Sequence, residues 1–281
     1  MRYSALVTLL LLTINCGAED KTVSVKTIET ISRSVVPVVC GYQDEHKNFQ
    51  IAFMAGSGFF VDTSGRFLTD NHVLENWDEV IKKTHPCSPA IYIPDQGWGK
   101  FVKAFKVESF TFVACARDVA VDLAVCDLIE NPFTSKRLSK GIVAAVSFDT
   151  TEWHPGTPVA FTGFPLNYTF PVTSIGYIAG LTGVDANDIG FDYIIDKSTW
   201  PGASGSPIFL SNGKVIGIIQ KYGKNEGSGL AYGRSAAIIV EFLSKHPRAT
   251  AQIEKQGEQQ KKQREASTIH PVPHFLGATR N

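Results

Sequence analysis

A surplus of either charge is missing from this chain: 27 Lys and Arg stand against 27 Asp and Glu in 281 residues. Zero formal net charge leaves no electrostatic footprint for nucleic acid, which is therefore not an expected partner. Long apolar runs are missing as well; the stretch over residues 5–14 is too short to span a bilayer as a helix. Helical periodicity is sparse, nearly confined to "NWDEVIKK" (76–83) and "SAAIIVEFLSKH" (235–246), which argues against strands alternating with long helices. Zinc-ligand spacings, phosphate-binding loops and dinucleotide fingerprints are absent, so neither metal nor cofactor is expected. His270 and His274 in "HPVPHF" do not change this, because the prolines between them forbid a shared helical face.

What is present is a globular composition, 43% hydrophobic with 18 Phe, enough to build a sizeable core. The N-terminus "MRYSALVTLLLLTINCGAED" runs from Arg2 through an apolar stretch to small and polar residues, the order of a secretory signal. Residues 1–18 are expected to be removed, since Cys16 and Ala18 form a small-x-small pattern. Alternatively the signal is 1–15 and Cys16 becomes a lipidated N-terminus that attaches the protein to a membrane. Either way the expected destination is outside the cytoplasm: secreted, periplasmic or lipid-anchored at the cell envelope. Four cysteines remain beyond Cys16. Cys40 in "SVVPVVCGY" and Cys126 in "DLAVCDL" read as small buried hydrophobes. Cys87 and Cys115 lie in loop-like sequence and are the candidate disulfide pair, although connectivity cannot be read from sequence.

From about residue 35 to 245 the chain reads as a dozen short β-branched and aromatic runs, among them "VVPVVCGY", "IAFMAGSGFFV", "KFVKAFKV", "TPVAFTGF" and "KVIGIIQ". Gly, Pro, Asn and Asp punctuate them at regular spacing, which is the pattern of an all-β sandwich or barrel. After His246 the composition turns to Gln, Lys, Glu and Arg and cannot hold a core. The expected organisation is a signal over 1–18, one folded domain over 22–246 and a polar tail over 247–281.

Three stretches carry chemistry: "GSGFFVDTSGRFLTDNHVLENW" around His72, "ARDVAVDLAVCDL" around Asp122, and "WPGASGSPIFL" around Ser204. A serine hydroxyl is protonated at neutral pH and needs a neighbouring base, for which histidine has the suitable pKa. A carboxylate then fixes the imidazole tautomer and stabilises the imidazolium. The glycines let backbone N–H groups, here those of Gly202 and Ser204, converge on a developing oxyanion. Asp118 and Asp127 are weaker alternatives to Asp122, since neither precedes Leu-Ala-Val.

These motifs, in register from about Gly56 to Phe242, make the chain resemble bacterial trypsin-like serine proteases. It is most similar to the HtrA-like (Deg-type) group and related to the glutamyl endopeptidase branch. "GSGFF…FLTDNHV", "DLAV", "VAFTGFP…PVTSIG" and "PGASGSP" are the segments that match. The resemblance implies two six-stranded antiparallel β-barrels with a C-terminal helix, and an endopeptidase acting on protein or peptide substrates. It implies His72 as general base, Asp122 as its orienter, Ser204 as nucleophile, and the Gly202 and Ser204 N–H groups as oxyanion hole. Ser198 would lie at the base of the primary specificity pocket, with Ile219, Gln220 and Tyr222 on the substrate-facing strand after the serine.

The chain departs from the pattern at Ala203, where Asn or Asp is usual, and at Ser206, which replaces a second Gly. Ile219 stands where the glutamyl branch has a histidine, so glutamyl specificity is not expected. Ser198, not Asp, suggests a small or medium apolar cleavage preference, with Asp196 keeping a charge nearby. About 35 residues follow His246, too few for the PDZ domain common in HtrA-like proteins. Ala203 also motivates an alternative from another class: a protease-fold binding module whose oxyanion loop has collapsed.

Overall fold

The first strand, β1 (Val35–Gln43), shows how continuous apolar runs are used. Successive side chains of a strand point to opposite faces, and here both faces are buried. Val35 and Val39 pack in a cluster that joins two barrels, whereas Val36 and Val38 pack inside the first barrel. Opposite Val38 and Val39 the neighbouring strand carries one extra residue, Ala55, so the bulge falls on that strand and β1 keeps its alternation.

In this computed structural model the described residues are 22–46, 48–75, 87–98, 106–183, 191–222 and 229–248. The signal segment with Cys16, the helical pattern over 76–83, residues 100–105 of the expected strand "KFVKAFKV", and the tail from 249 lie outside them. Strands β2 (Phe49–Phe60), β3 (Arg66–Thr69), β4 (Ser88–Pro94), β5 (Val107–Asp118) and β6 (Leu123–Leu128) close with β1 into a barrel in the order β1-β2-β3-β6-β5-β4. Strands β7 (Pro158–Gly163), β8 (Val172–Gly183), β9 (Phe191–Ile195), β10 (Pro207–Phe209), β11 (Val215–Tyr222) and β12 (Ala231–Ser235) close a second, in the order β10-β11-β12-β9-β8-β7. Neighbouring strands in both barrels are antiparallel. The expected pair of six-stranded barrels is therefore what the chain forms.

Between the barrels lies a third apolar layer. Phe59, Leu68 and Leu123 from the first barrel meet Phe164, Phe209 and Ile218 from the second. The C-terminal helix (Ala236–Lys245) covers this seam with Ile238, Ile239 and Phe242, the i, i+1, i+4 stripe of an amphipathic helix. Its end is tied to the first barrel, where Arg66 donates to the His246 carbonyl and pairs with Asp127 at 3.3 Å. An N-terminal helix (Val25–Ser32) is not expected from periodicity. Ser24 caps it by accepting from the Thr27 N–H at 3.1 Å, and Thr27 Oγ1 donates to the Ser211 carbonyl of the second barrel at 2.8 Å. Such a short helix depends on docking more than on propensity.

The structure corrects the cysteine expectation. Cys40 bonds Cys87, and Cys115 bonds Cys126. Cys115 is not in a loop but on β5, directly opposite Cys126 on β6. Cys40 on β1 faces Pro89 on β4, which puts Cys87 beside it. The Cys40–Cys87 bond spans 47 residues and the other 11. Loop-closure entropy then makes loss of the first worth roughly 4 kcal/mol and loss of the second roughly 3. Paired Cys→Ala variants compared by urea unfolding should rank in that order.

Candidate active site

β3 delivers Thr69 to the seam, and the chain turns at once into a helical turn over residues 71–75 that carries His72. Asp122 closes the β5–β6 hairpin. Its φ of +55° is a left-handed conformation that Asp tolerates better than most side chains. The hairpin is shaped by Asp118, whose Oδ1 accepts from the Ala120 N–H at 2.9 Å. Asp118 is thus a turn residue, and Asp127 is occupied by Arg66.

Asp122 meets His72 at two points. Its Oδ1 accepts the His72 backbone N–H at 2.9 Å, and its Oδ2 lies 2.8 Å from Nδ1 of the ring. The Asn71 N–H donates to the Asp122 carbonyl at 3.2 Å, so the two segments are laced by backbone and side chain together. Asn71 itself is braced by Arg117, whose Nε donates to Asn71 Oδ1 at 2.7 Å.

Ser204 stands on a tight turn between the barrels. Trp200, Pro201, Gly202 and Ala203 form a β-turn closed by the Ala203 N–H to the Trp200 carbonyl at 3.0 Å, with Gly202 at φ +92°. Pro at the second position and Gly with positive φ at the third are what a type II turn requires. The Pro201 carbonyl accepts from the Leu166 N–H at 2.7 Å. Because the peptide is planar and trans, the Gly202 N–H points the opposite way. Neither it nor the Ser204 N–H donates to a protein acceptor among the described residues. The Ser204 hydroxyl donates to the Gln220 carbonyl at 3.0 Å.

Two positions expected to contact substrate do something else. The Ile219 side chain is fully buried inside the second barrel, packed with Ile208 and Ile216, and cannot face a ligand. A bulge between Ile208 and Phe209 shifts the alternation of β11 and so turns Ile219 inward. Gln220 is also buried; its Nε2 donates to the Val121 carbonyl at 2.9 Å and to that of Asp122 at 3.2 Å. One residue therefore joins the Asp122 turn, through its side chain, to the Ser204 hydroxyl, through its carbonyl. Tyr222 closes β11, and its side chain lies outside the described set. Ser198 lines a cavity of about 560 Å³ walled by Phe161, Leu166, Tyr168, Val172 and Trp200. Ala203, next to Ser204 in the chain, also lines it. Asp196 is at its rim, with its carboxylate held by the Tyr177 N–H.

Sequence reasoning misses Asp70. Its side chain is fully buried beside the site, and neither carboxyl oxygen makes a hydrogen bond of good geometry among the described residues. Burial pushes this carboxyl well above the usual carboxylate range. The Asp122 charge adds to the push, while the Gly205 N–H and Arg234 oppose it. The folded state thus keeps the proton to higher pH than the unfolded chain. Its contribution is fully present below the ordinary pKa of 3.8 and is lost as pH rises through the folded value. Asp70→Asn should remove that slope. Its urea midpoint should match wild type below about pH 4 and exceed it increasingly above.

Twin antiparallel barrels with His, Asp and Ser gathered at their seam define a chymotrypsin-like fold. The chain belongs to the trypsin-like peptidase domain family, whose model matches residues 56–218. It is 26% identical over 206 residues to a protein of Halomonas elongata described as "Probable periplasmic serine endoprotease DegP-like", covering 73% of this chain and 35% of that protein. A protein of the same description from Hahella chejuensis is 28% identical over 170 residues, covering 60% of this chain and 30% of that one. The chain thus spans about a third of the length of these curated relatives. Among solved structures, the active form of the Rv3671c protease from M. tuberculosis superposes with a TM-score of 0.55 at 17% identity, covering 78% of this chain and 83% of that one, a likeness of fold.

Proposed function

We propose that the protein is an exported serine endopeptidase that hydrolyses protein substrates through an acyl-enzyme, with Ser204 as nucleophile, His72 as general base and Asp122 as orienter. The observation that carries this reading is the two-point hold of Asp122 on His72. A carboxylate facing Nδ1 at 2.8 Å keeps the proton there and leaves Nε2 free to accept one. Ser204 Oγ then attacks the scissile carbonyl carbon as its proton passes to Nε2. The new oxyanion is received by the Gly202 and Ser204 N–H groups, the two donors of the turn left without a protein acceptor among the described residues. Nε2 returns the proton to the departing amine, and water repeats the sequence to release the acid and restore Ser204. Before attack, the hydroxyl must exchange the Gln220 carbonyl for the imidazole as its acceptor.

Export is supported by the signal-like order of the first 18 residues and by relatives described as periplasmic. Residues 22–246 then form the peptidase domain. A preference for small or medium apolar residues at the cleavage point is the reading that Ser198 favours.

A fluorophosphonate probe, which phosphonylates an activated serine, tests this directly. The folded protein should label at one site, and Ser204→Ala should not label at all. Labelling that survives the substitution rejects Ser204 as the nucleophile. A folded wild type that never labels points instead to a binding module on the protease scaffold.

A further inference from the structure

Every carbonyl of the nucleophile turn is held by a protein donor. The Pro201 carbonyl accepts from the Leu166 N–H at 2.7 Å and the Ala203 carbonyl from the Ser206 N–H at 3.0 Å. The Gly202 carbonyl accepts from the Ser57 hydroxyl at 2.7 Å and the Ser204 carbonyl from the Ser57 N–H at 2.8 Å. Two of these four bonds come from one residue of β2, in the opposite barrel. The Ser57 hydroxyl is itself aimed, because its oxygen accepts the Phe164 N–H at 2.9 Å and its single proton is committed to Gly202. Its own carbonyl accepts from Thr69 Oγ1 at 2.7 Å, and the residue is fully buried.

Peptide planarity gives these contacts their consequence. Fixing the Gly202 carbonyl fixes the whole Gly202–Ala203 peptide plane. The Gly202 N–H precedes that plane and the Ser204 N–H follows it. Gly202 has no Cβ to resist rotation, and Ala203 is buried with no polar group to tether the turn. We propose that Ser57 is a positioning residue: its hydroxyl clamps the Gly202–Ala203 peptide so that the oxyanion donors stay aimed, a task the side chain at position 203 leaves open. The inference rests on Ser204 being the nucleophile.

The test compares wild type, Ser57→Ala and Ser57→Cys as full chains; the thiol nearly keeps the volume and is a weak donor. Rates are taken per active site titrated with fluorophosphonate. One oxyanion donor is worth about a hundred- to a thousandfold, so misaiming the pair should lower kcat about ten- to a hundredfold in Ser57→Ala and less in Ser57→Cys. KM should stay within about twofold. A peptide aldehyde, which adds to the serine and forms the oxyanion, should bind more weakly by the same factor as kcat, while the matching peptide alcohol, which forms no oxyanion, binds as before. The acid limb of the pH profile should not move, since His72 and Asp122 are untouched. A merely structural role would lower the midpoint of unfolding and the number of titrated sites but leave kcat per site unchanged, and that result overturns the proposal. So does a parallel loss of aldehyde and alcohol affinity. If the alanine variant does not fold, the cysteine variant decides alone. A wild type that labels beside an unaffected Ser57→Ala rejects this inference only, whereas a wild type that never labels rejects the nucleophile and the clamp together.

Discussion

Asp122→Asn should lower kcat about ten-thousandfold while leaving the fold intact. The substitution keeps shape, and Asn tolerates the left-handed backbone at φ +55° as well as Asp does. The loss comes from which atoms the site demands. His72 offers its backbone N–H to Oδ1 at 2.9 Å, a bond that only an acceptor can satisfy. Asn has one acceptor oxygen, which goes there, and its amide nitrogen is left facing Nδ1 where the carboxylate oxygen stood at 2.8 Å. An amide nitrogen only donates. The imidazole must then present a lone pair at Nδ1 and carry its proton on Nε2, which can no longer take the proton of Ser204. Peptide-substrate kinetics should show KM within about threefold of wild type, and nitrogen chemical shifts of the His72 ring should report the exchanged tautomer. A loss below tenfold would mean that Asp122 does not orient the base.

Much of this site is legible in the sequence because its chemistry needs neighbouring residues. His72, Asp122 and Ser204 each sit where a strand ends or begins, so the apolar strand and the polar residue beside it appear together in "FLTDNHV", "DLAVCDL" and "PGASGSP". The twelve-strand pattern is legible for a related reason: two faces of many strands are buried, leaving continuous apolar runs between Gly, Pro and Asn turns. What stays hidden depends on contacts between distant segments. Cys115 follows a bulge between Phe112 and Ala114 that breaks alternation, so its strand reads as loop and its partner across the hairpin escapes notice. Gln220 reads as facing substrate, but a bulge in the pairing of β10 with β11 sets the phase of that strand. The N-terminal helix has only Ile31 fully buried and gains its place from Thr27 reaching Ser211. Nothing in "LTDNHV" reveals that Asp70 is buried or that Gly205 and Arg234 of the second barrel act on its charge, because those residues are distant in the chain.

Gly205→Ala should be as damaging to turnover as a change outside the reacting groups can be, on the order of a thousandfold, and should destabilise by about 2–5 kcal/mol. Gly205 has φ +87°, where a side chain costs roughly 1–2 kcal/mol by itself. Steric overlap costs more. A Cβ here would lie 1.9 Å from the Ser57 carbonyl oxygen and 2.8 Å from Thr69 Oγ1. A backbone atom of β2 cannot swing aside as the end of a flexible side chain can. The turn cannot retreat far either, because the Gly205 N–H is bonded to the Ile219 carbonyl at 2.8 Å. Relief must therefore move Ser204 away from Ser57, breaking the 2.8 Å bond from the Ser57 N–H to the Ser204 carbonyl and displacing the Ser204 hydroxyl together with the Gly202 and Ser204 N–H groups. Gly213→Ala is the control: φ is a similar +79°, yet the nearest atom to the added carbon is Thr27 Cγ2 at 3.7 Å. It should lose roughly 1–2 kcal/mol in urea unfolding and keep full turnover. Equal behaviour of the two variants would show that backbone strain alone, not the closeness of the barrels at Ser57, governs the nucleophile turn.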